Sequence, residues 1–382
     1  MNSVKNKVLL INSIADKAKL LIDLFDELVA KNFRFYLLSS QTCLIKQFQD
    51  KNWPAKKIAL GPTVKNKLSQ ALFISCSPWL FLKILLILLN YRLKEKITAI
   101  ICLGWTEKIL ATMPAKLLGL KIIWLEEPSF NYQELKFKRL YKLNSRLATV
   151  IVFNSYTRIQ LENTGCSKTV ITLVQPAIKT SAYQDNLYNK LAQAEQKNSR
   201  RKYFTIGTIT DLNQRQKIET LFQAVKICQT VIPNLQLIIV GDGEERKNLS
   251  WLAKKIEIDT LVWFVGEQQQ TKKWLNSFDL YLVTSESPNL TDYYNILEAM
   301  ATGLPVIGPR HLGLEDIISE NKTGSLVENG NQEMLARQVV KIEQDKKLRQ
   351  QLGKNGQERL KQLFIFDKMV NEMASILKIN CY

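Results

Sequence analysis

Apolar residues along this chain fall into two kinds of stretch. Short unbroken blocks read as buried parallel strands, and longer segments in which apolar residues return every three or four positions read as helices. In the first half the blocks are Val8 to Ile11, Phe33 to Leu38, Ile97 to Leu103, Lys121 to Leu125 and the start of Thr149 to Gly165. Between them, helical spacing predicts Lys17 to Ala30, with Leu20, Leu21, Leu24, Phe25 and Leu28 on one side, then Glu107 to Leu118 and Gln133 to Ser145. The second half repeats the scheme with strands at Phe204 to Ile209, Leu235 into Gly243, Leu261 to Gly266, Leu280 to Val283 and Val306 to Gly308, and a helix over Tyr293 to Ala301 that Gly303 ends. A β-α-β opening of this kind starts a doubly wound sheet. From Lys179 to Lys202 the chain is polar and patternless and reads as a linker. The domains expected are therefore 1–178 and, after the linker 179–202, a second from 203 to 362.

One segment departs from the alternation. Lys65 to Lys96 holds a core of Ile84 to Leu89, extending to Trp79 to Leu89 with Lys83 inside it. Eleven residues fall short of the roughly 20 that span a bilayer. The expectation is a helix lying in an anionic membrane surface, apolar residues inward, with Lys65, Lys67, Lys83, Arg92, Lys94 and Lys96 at the headgroups. The bland alternative is a core helix with snorkelling lysines. Charge favours the first: residues 1–175 carry 26 Lys and Arg against 11 Asp and Glu, and residues 176–382 carry 27 against 24. Nucleic acid is not indicated, since the sequence holds no zinc-finger spacing, RRM signature or aromatic-interleaved basic strand. At 382 residues with 46% hydrophobic composition, two cores are affordable in size and a largely disordered chain is excluded. Six scattered cysteines without a Cys-x-x-Cys and a single histidine suggest neither disulfide framework nor metal site, and a reducing, cytoplasmic setting. The apolar run near the N-terminus, four residues long, is read as a strand and not a signal peptide.

Candidate chemistry centres on Ser277 to Gly324. A helix start after a strand is a natural anion site, because its free N–H groups and dipole favour negative charge. Glu298, inside the helix that follows, cannot itself hold phosphate but can accept hydrogen bonds from sugar hydroxyls. Strand, helix start and inner carboxylate together describe a pocket for a nucleoside diphosphate; the alternative is a solvated helix residue. The runs LEAMATGLPVIG and GLEDIISENKTGSLVENGN resemble the C-terminal half of the family 4 retaining glycosyltransferases. Their signature is a Glu, seven residues, a second Glu, an Ala-Met-Ala-like helix end and Gly-x-Pro-Val.

The resemblance implies a GT-B fold: two Rossmann-like domains facing across a cleft, with a final helix, 363–382, crossing back to the first. Glu298 matches the second Glu, which binds the donor ribose. The first Glu, which contacts the donor sugar, has Leu290 at its place, and Glu286 or Asp292 is the expected substitute. In the loop after Phe204 to Ile209 the family clamps the diphosphate with Gly-Arg and a Lys. Here Gly207 matches, Thr208 replaces the Arg, and Arg215 or Lys217 supplies the later charge. Gly241 and Gly243 form the next turn, and Gly266 precedes the loop that receives the nucleobase. Asn295 and Ile296, ahead of Glu298, complete the donor-binding set. Where the family often has a histidine facing the sugar, this chain has Glu126 and Glu127, candidates for binding a sugar hydroxyl or acting as a base.

Function is then expected to be metal-independent, retaining transfer of a sugar from a UDP- or GDP-sugar to a glycan or lipid-linked acceptor. The setting expected is cytoplasmic and peripheral, at the inner face of a membrane. The alternative is a non-catalytic GT-B module that binds nucleotide or glycan as a scaffold.

Overall fold

The structure, a computed structural model, describes residues 6–14, 19–61, 67–132, 135, 137–180, 203–213, 216–268 and 270–378. Internal contacts divide the chain into two units, Met1–Pro176 with Asp367–Tyr382, and Ala177–Phe366.

In the first unit, strands β1 (Asn6–Asn12), β2 (Phe33–Ser39), β3 (Ala55–Lys57), β4 (Ala99–Cys102), β5 (Lys121–Leu125), β6 (Thr149–Val152) and β7 (Ile171–Leu173) form one sheet in the order β3-β2-β1-β4-β5-β6-β7. Every pairing is parallel. Strands buried on both faces need no polar alternation, which is why Val8–Ile11 and Ala99–Cys102 are continuously apolar and almost fully buried. The connecting helices are α1 (Lys19–Ala30), α2 (Thr42–Asp50), α3 (Lys67–Asn90), α4 (Trp105–Leu110), α5 (Thr112–Leu117), α6 (Lys138–Ser145) and α7 (Ser155–Asn163). The chain leaves β1 in one direction and resumes with β4 in the other. The crevice at the C-terminal ends of those two strands is the unit's topological switch point.

Two expectations about helices need correction. The helix expected over Glu107 to Leu118 is split into α4 and α5, with Pro114 within the first turn of α5, where its missing N–H costs no hydrogen bond. The apolar segment is far longer than eleven residues: α3 runs for 24 and continues as a π-helical turn, Tyr91–Glu95. Over Leu68–Glu95 it is long and apolar enough to cross a membrane. Pro78 does not break it, because the Ser77 hydroxyl donates to the Ile74 carbonyl (2.7 Å) that the missing N–H of Pro78 would have left unbonded. Phe73, Leu80, Ile84 and Leu88, one face at helical spacing, sit in the unit's core, while the opposite face is open.

In the second unit, β8 (Phe204–Ile209), β9 (Leu235–Val240), β10 (Val262–Gly266), β11 (Leu280–Leu282), β12 (Val306–Pro309) and β13 (Gly324–Val327) give the parallel order β10-β9-β8-β11-β12-β13. Its switch point lies between β8 and β11. The helices are α8 (Gln216–Gln229), α9 (Arg246–Lys255), α10 (Thr271–Leu275), α11 (Leu290–Ala301), α12 (Leu312–Glu315), α13 (Gln332–Gln344) and α14 (Lys346–Leu363). The last helix, α15 (Phe366–Leu377), is counted almost wholly with the first unit, where Lys121 Nζ donates to the Lys378 carbonyl at 2.9 Å.

Helix α11 begins three residues before the expected Tyr293. Asn289 accepts from the Asp292 N–H (2.9 Å) and Asp292 accepts from the Asn289 N–H (3.0 Å), a reciprocal capping box that a reading of apolar spacing passes over. Glu298 is therefore more than two turns inside the helix.

Candidate functional site

The polar groups of the second unit converge where β8 and β11 end side by side. Tyr281, near the end of β11, is buried and donates to the Ile209 carbonyl at the end of β8 (3.4 Å). Asn295 of α11 donates to the same carbonyl at 3.3 Å, which turns that face of α11 toward the switch point. Three residues further along the helix stands Glu298, 2% exposed, whose Oε2 accepts from the Thr271 hydroxyl (2.7 Å) at the start of α10. Burial pushes the Tyr281 phenol well above its usual range, and the nearby charge of Asp292 and then Glu298 adds to this. An enclosed carboxylate accepts hydrogen bonds from hydroxyl groups, as the Thr271 bond shows. Three further hydroxyls at these strand ends, Thr208, Thr284 and Ser285, are buried with no hydrogen-bond partner in the protein.

Beside this cluster is an open recess between α8 and the first turn of α13, floored by the ends of β11, β12 and β13. Thr220, Thr284, Glu286, Glu328, Asn329 and Asn331 supply its polar lining. Arg310, at its edge after β12, is already engaged by Glu320 (3.0 Å), Glu328 (3.3 Å) and, more distantly, Glu315 (3.9 Å). The recess is thus acidic and rich in hydroxyl and amide groups, a lining suited to uncharged polyol surface.

Several expected donor-binding residues have other work. Asp292 closes the capping box of α11. Ile296 is fully buried in the middle of α11, where its N–H belongs to the helix. Gly207 makes room for the Phe278 ring, which any side chain there would strike, so packing alone accounts for its smallness. Gly241, at φ +142°, and Gly243 let the turn after β9 touch the backbone of Thr210 and Leu212, and the Gly241 N–H donates to the Gly266 carbonyl (2.9 Å). These glycines bring three strand ends together. Thr208 is buried within β8. Glu286 lines the recess and is exposed. Arg215 lies outside the described residues, and Lys217 is placed by its backbone in the first turn of α8.

In the first unit the structure corrects the reading of Glu126. It is not a free strand-end carboxylate: it is 2% exposed, paired with the equally buried Lys108 (2.7 Å), and accepts from the Tyr141 hydroxyl (2.6 Å). Lys108 also donates to the Leu125 carbonyl (2.7 Å). Glu127 is half-buried, and the Ser129 hydroxyl donates to it at 3.4 Å. Sequence reasoning missed Glu107, which lies at this unit's switch point. Its buried carboxylate accepts from the Ser13 N–H (2.9 Å), the Ser13 hydroxyl (2.6 Å) and the Gly104 N–H, fastening the end of β1 to the start of α4. Burial pushes its pKa up, against the lowering effect of the Ser13 hydrogen bond. A Glu-Lys pair in an otherwise apolar stretch was the available signal, since such charges are buried only when paired. Thr271 carried no sequence signal.

Comparison with known proteins agrees with this arrangement. Residues 189–359 match the family described as "Glycosyl transferases group 1". The chain is 30% identical over 168 residues to N-acetyl-alpha-D-glucosaminyl L-malate synthase of Bacillus anthracis, covering 44% of this chain and 43% of that protein. It is 33% identical over 147 residues to the lipopolysaccharide core biosynthesis glycosyltransferase LpsE of Rhizobium meliloti, covering 38% and 42%. The chain thus matches less than half the length of these relatives. Among solved structures, a glycosyltransferase from Rickettsia africae superposes with a TM-score of 0.79 at 15% identity, covering 98% of each chain. Anabaena Alr3699/HepE, solved in complex with UDP, gives 0.77 at 17% identity, covering 97% of this chain and 99% of that one. At such identities the likeness concerns the fold, which is that of the GT-B glycosyltransferases: two Rossmann-like units, each on a parallel sheet. The match at 189–359 falls within the Ala177–Phe366 unit, which is thus similar in sequence to the glycosyl transferases group 1 family and stands on a GT-B fold.

Proposed function

We propose that this protein transfers a sugar from a nucleotide-sugar donor, UDP- or GDP-linked, to a glycan or lipid-linked acceptor in the synthesis of a surface polysaccharide or glycolipid. The observation that carries this reading is the enclosed carboxylate of Glu298 at the β8/β11 switch point of a unit similar to the group 1 family. Ligands of open α/β sheets bind at that position. Glu298 takes the ribose hydroxyls, the acidic recess beside Glu286 takes the sugar, and Lys217 and Arg215 take the diphosphate. Transfer proceeds with retention and without a metal ion, so the leaving diphosphate is stabilised by those cations and by backbone N–H groups. Names of relatives support the class of acceptor: LpsE acts in lipopolysaccharide core biosynthesis.

The acceptor is met at the inner face of a membrane. The outward face of α3 and the turn after it present Leu68, Trp79, Leu82, Leu86 and Leu93, the last 68% exposed, with Arg92, Lys94 and Lys96 exposed beside them. The helix has the length of a membrane span, but its other face is committed to the core of the first unit. It therefore lies in the plane of an anionic surface. Lys83, expected among the headgroup contacts, bends back to the Ala59 carbonyl (3.0 Å) and over the Trp79 ring.

A second reading, a non-catalytic module that binds nucleotide or glycan, draws on Leu290 at the first-Glu position, buried in the first turn of α11, and on the use of Asp292 as a cap. Calorimetric titration with UDP-, GDP- and ADP-sugars, repeated with Glu298→Ala, tests the donor site. Selective binding of one donor that the substitution abolishes supports the site. Turnover of that donor onto an acceptor then separates enzyme from module, and no binding by the folded protein defeats the donor reading.

A further inference from the structure

We infer that Thr271 is a positioning residue for the nucleoside: its hydroxyl fixes the plane of the Glu298 carboxylate so that the pair, and not Glu298 alone, selects a ribose over a 2′-deoxyribose. The inference rests on the reading of Glu298 as the ribose-binding group and adds to it the element that orients that group. Three observations carry it. The Thr271 hydroxyl donates to Glu298 Oε2 at 2.7 Å, the length of a charge-assisted bond. Thr271 opens α10, so the bond joins the segment that follows β10 to the middle of α11, two stretches 27 residues apart. And α11 is held on the same face, one turn earlier, by the Asn295 amide on the Ile209 carbonyl, so the helix carrying Glu298 is registered against β8 while its carboxylate is registered against α10.

The physical need for such a brace is specific. The torsion that turns a Glu carboxylate about its last bond is broad and roughly two-fold, so the backbone of α11 does not set it. Two adjacent hydroxyls of a ribose are accepted together only when both carboxylate oxygens lie in the plane of the approaching pair. A carboxylate offers about four acceptor positions, and the Thr271 hydroxyl takes one of them. Its donor direction also sets the plane in which the others lie. Thr271 starts the helix that follows the β10 loop, so anything that moves this loop moves the donor and, through it, the carboxylate plane.

The test uses the full chain and measures dissociation constants for UDP, GDP and their 2′-deoxy forms with the wild type, Thr271→Val, Thr271→Ser and Glu298→Gln. Thermal unfolding checks that each variant is folded. Thr271→Val is expected to weaken the ribonucleotide about tenfold while changing the 2′-deoxynucleotide by less than about twofold, so that discrimination between them collapses toward the Glu298→Gln value. Thr271→Ser, which keeps the hydroxyl, is expected to retain discrimination. Equal weakening of both nucleotides by Thr271→Val means a structural role only, and an unchanged ratio means no role; either overturns the inference while leaving Glu298 in place. Loss of discrimination in Glu298→Gln with none in Thr271→Val isolates the failure to Thr271. Wild-type affinity for neither nucleotide, or indifference to Glu298→Gln, overturns the ribose reading itself.

Discussion

Replacing Glu126 by Gln separates a structural from a catalytic role for the residue that stands where the resembling family often has a histidine. The carboxylate is paired at 2.7 Å with Lys108, both side chains 3% exposed, and Tyr141 donates to it at 2.6 Å. Glu126→Gln keeps the shape and one acceptor but takes from the buried Lys108 ammonium its directly paired carboxylate, leaving the Leu125 carbonyl and the nearby charge of Glu107. Breaking a buried pair from one side costs about 3 to 5 kcal/mol, because the remaining charge is uncompensated. The retained acceptor argues for the lower end, about 3 kcal/mol. For a unit of this size that lowers its unfolding midpoint by roughly 6 to 12 °C, at about 2 to 4 °C per kcal/mol. Urea unfolding followed by circular dichroism, with calorimetry to resolve the two units, measures it. Removing all three partners together, as Lys108→Met, Glu126→Leu and Tyr141→Phe, should restore most of the loss, since apolar replacement of a buried ionic group is often near-neutral. A Glu126→Gln protein within about 1 kcal/mol of wild type would refute the structural reading. Unchanged stability with lost transfer would return the carboxylate to the reaction.

Glu286→Ala should weaken binding of the nucleotide sugar several-fold and leave the free nucleoside diphosphate unaffected, because Glu286 lines the recess and not the Glu298 cluster; equal losses for both ligands in calorimetry would contradict that division. Leu82→Glu with Leu86→Glu, both on the open face of α3, should abolish co-sedimentation with vesicles containing anionic lipid at unchanged thermal stability. Persistence of vesicle binding would remove α3 from the membrane face. His311 is the chain's single histidine, and its Nδ1 accepts from the Gly313 N–H (3.1 Å) as the cap of α12. Burial lowers its pKa, against the raising effect of Glu315 and Asp316. Above the unfolded value near 6.5 both states are neutral and stability is independent of this group. As pH falls below it, the unfolded chain takes up the proton first and stability declines until the folded pKa is passed. His311→Asn, which can still cap, should flatten that decline, and one histidine ring signal in NMR gives the folded pKa directly; a value above 6.5 would reverse the sign.

The strands were legible because a parallel strand covered on both faces must be continuously apolar, and the blocks at Val8, Lys121, Phe204 and Leu235 meet that condition at nearly the observed limits. Helix limits were less legible where polar chemistry sets them. The serine before Pro78 decides that α3 continues, and the exchange between Asn289 and Asp292 decides where α11 begins. Both are hydrogen bonds between side chain and backbone that apolar spacing does not register. Glycines were ambiguous for a related reason. A glycine signals that something approaches the backbone closely, but the sequence does not say what: at Gly207 it is the Phe278 ring and at Gly241 the backbone of Thr210.

The capping box also bears on why this domain differs from the signature it resembles. With the helix starting at Leu290, the position eight residues before Glu298 is the first residue of α11 and is buried, so a carboxylate there would lie inside the helix packing and not on a loop that reaches a sugar. The carboxylate nearest to that task is displaced four residues earlier, to Glu286, on the exposed part of the loop beside the acidic recess. Extending α11 and moving the carboxylate are thus one structural change seen from two sides. Shortening the helix by Asn289→Ala with Asp292→Ala removes the box, at about 1 to 2 kcal/mol of stability for the cap. If the two features are coupled, that variant should also shift sugar affinity while nucleoside diphosphate affinity, set at Glu298 more than two turns from the cap, stays as it was. Independent behaviour would mean that Glu286 reached its place without the longer helix.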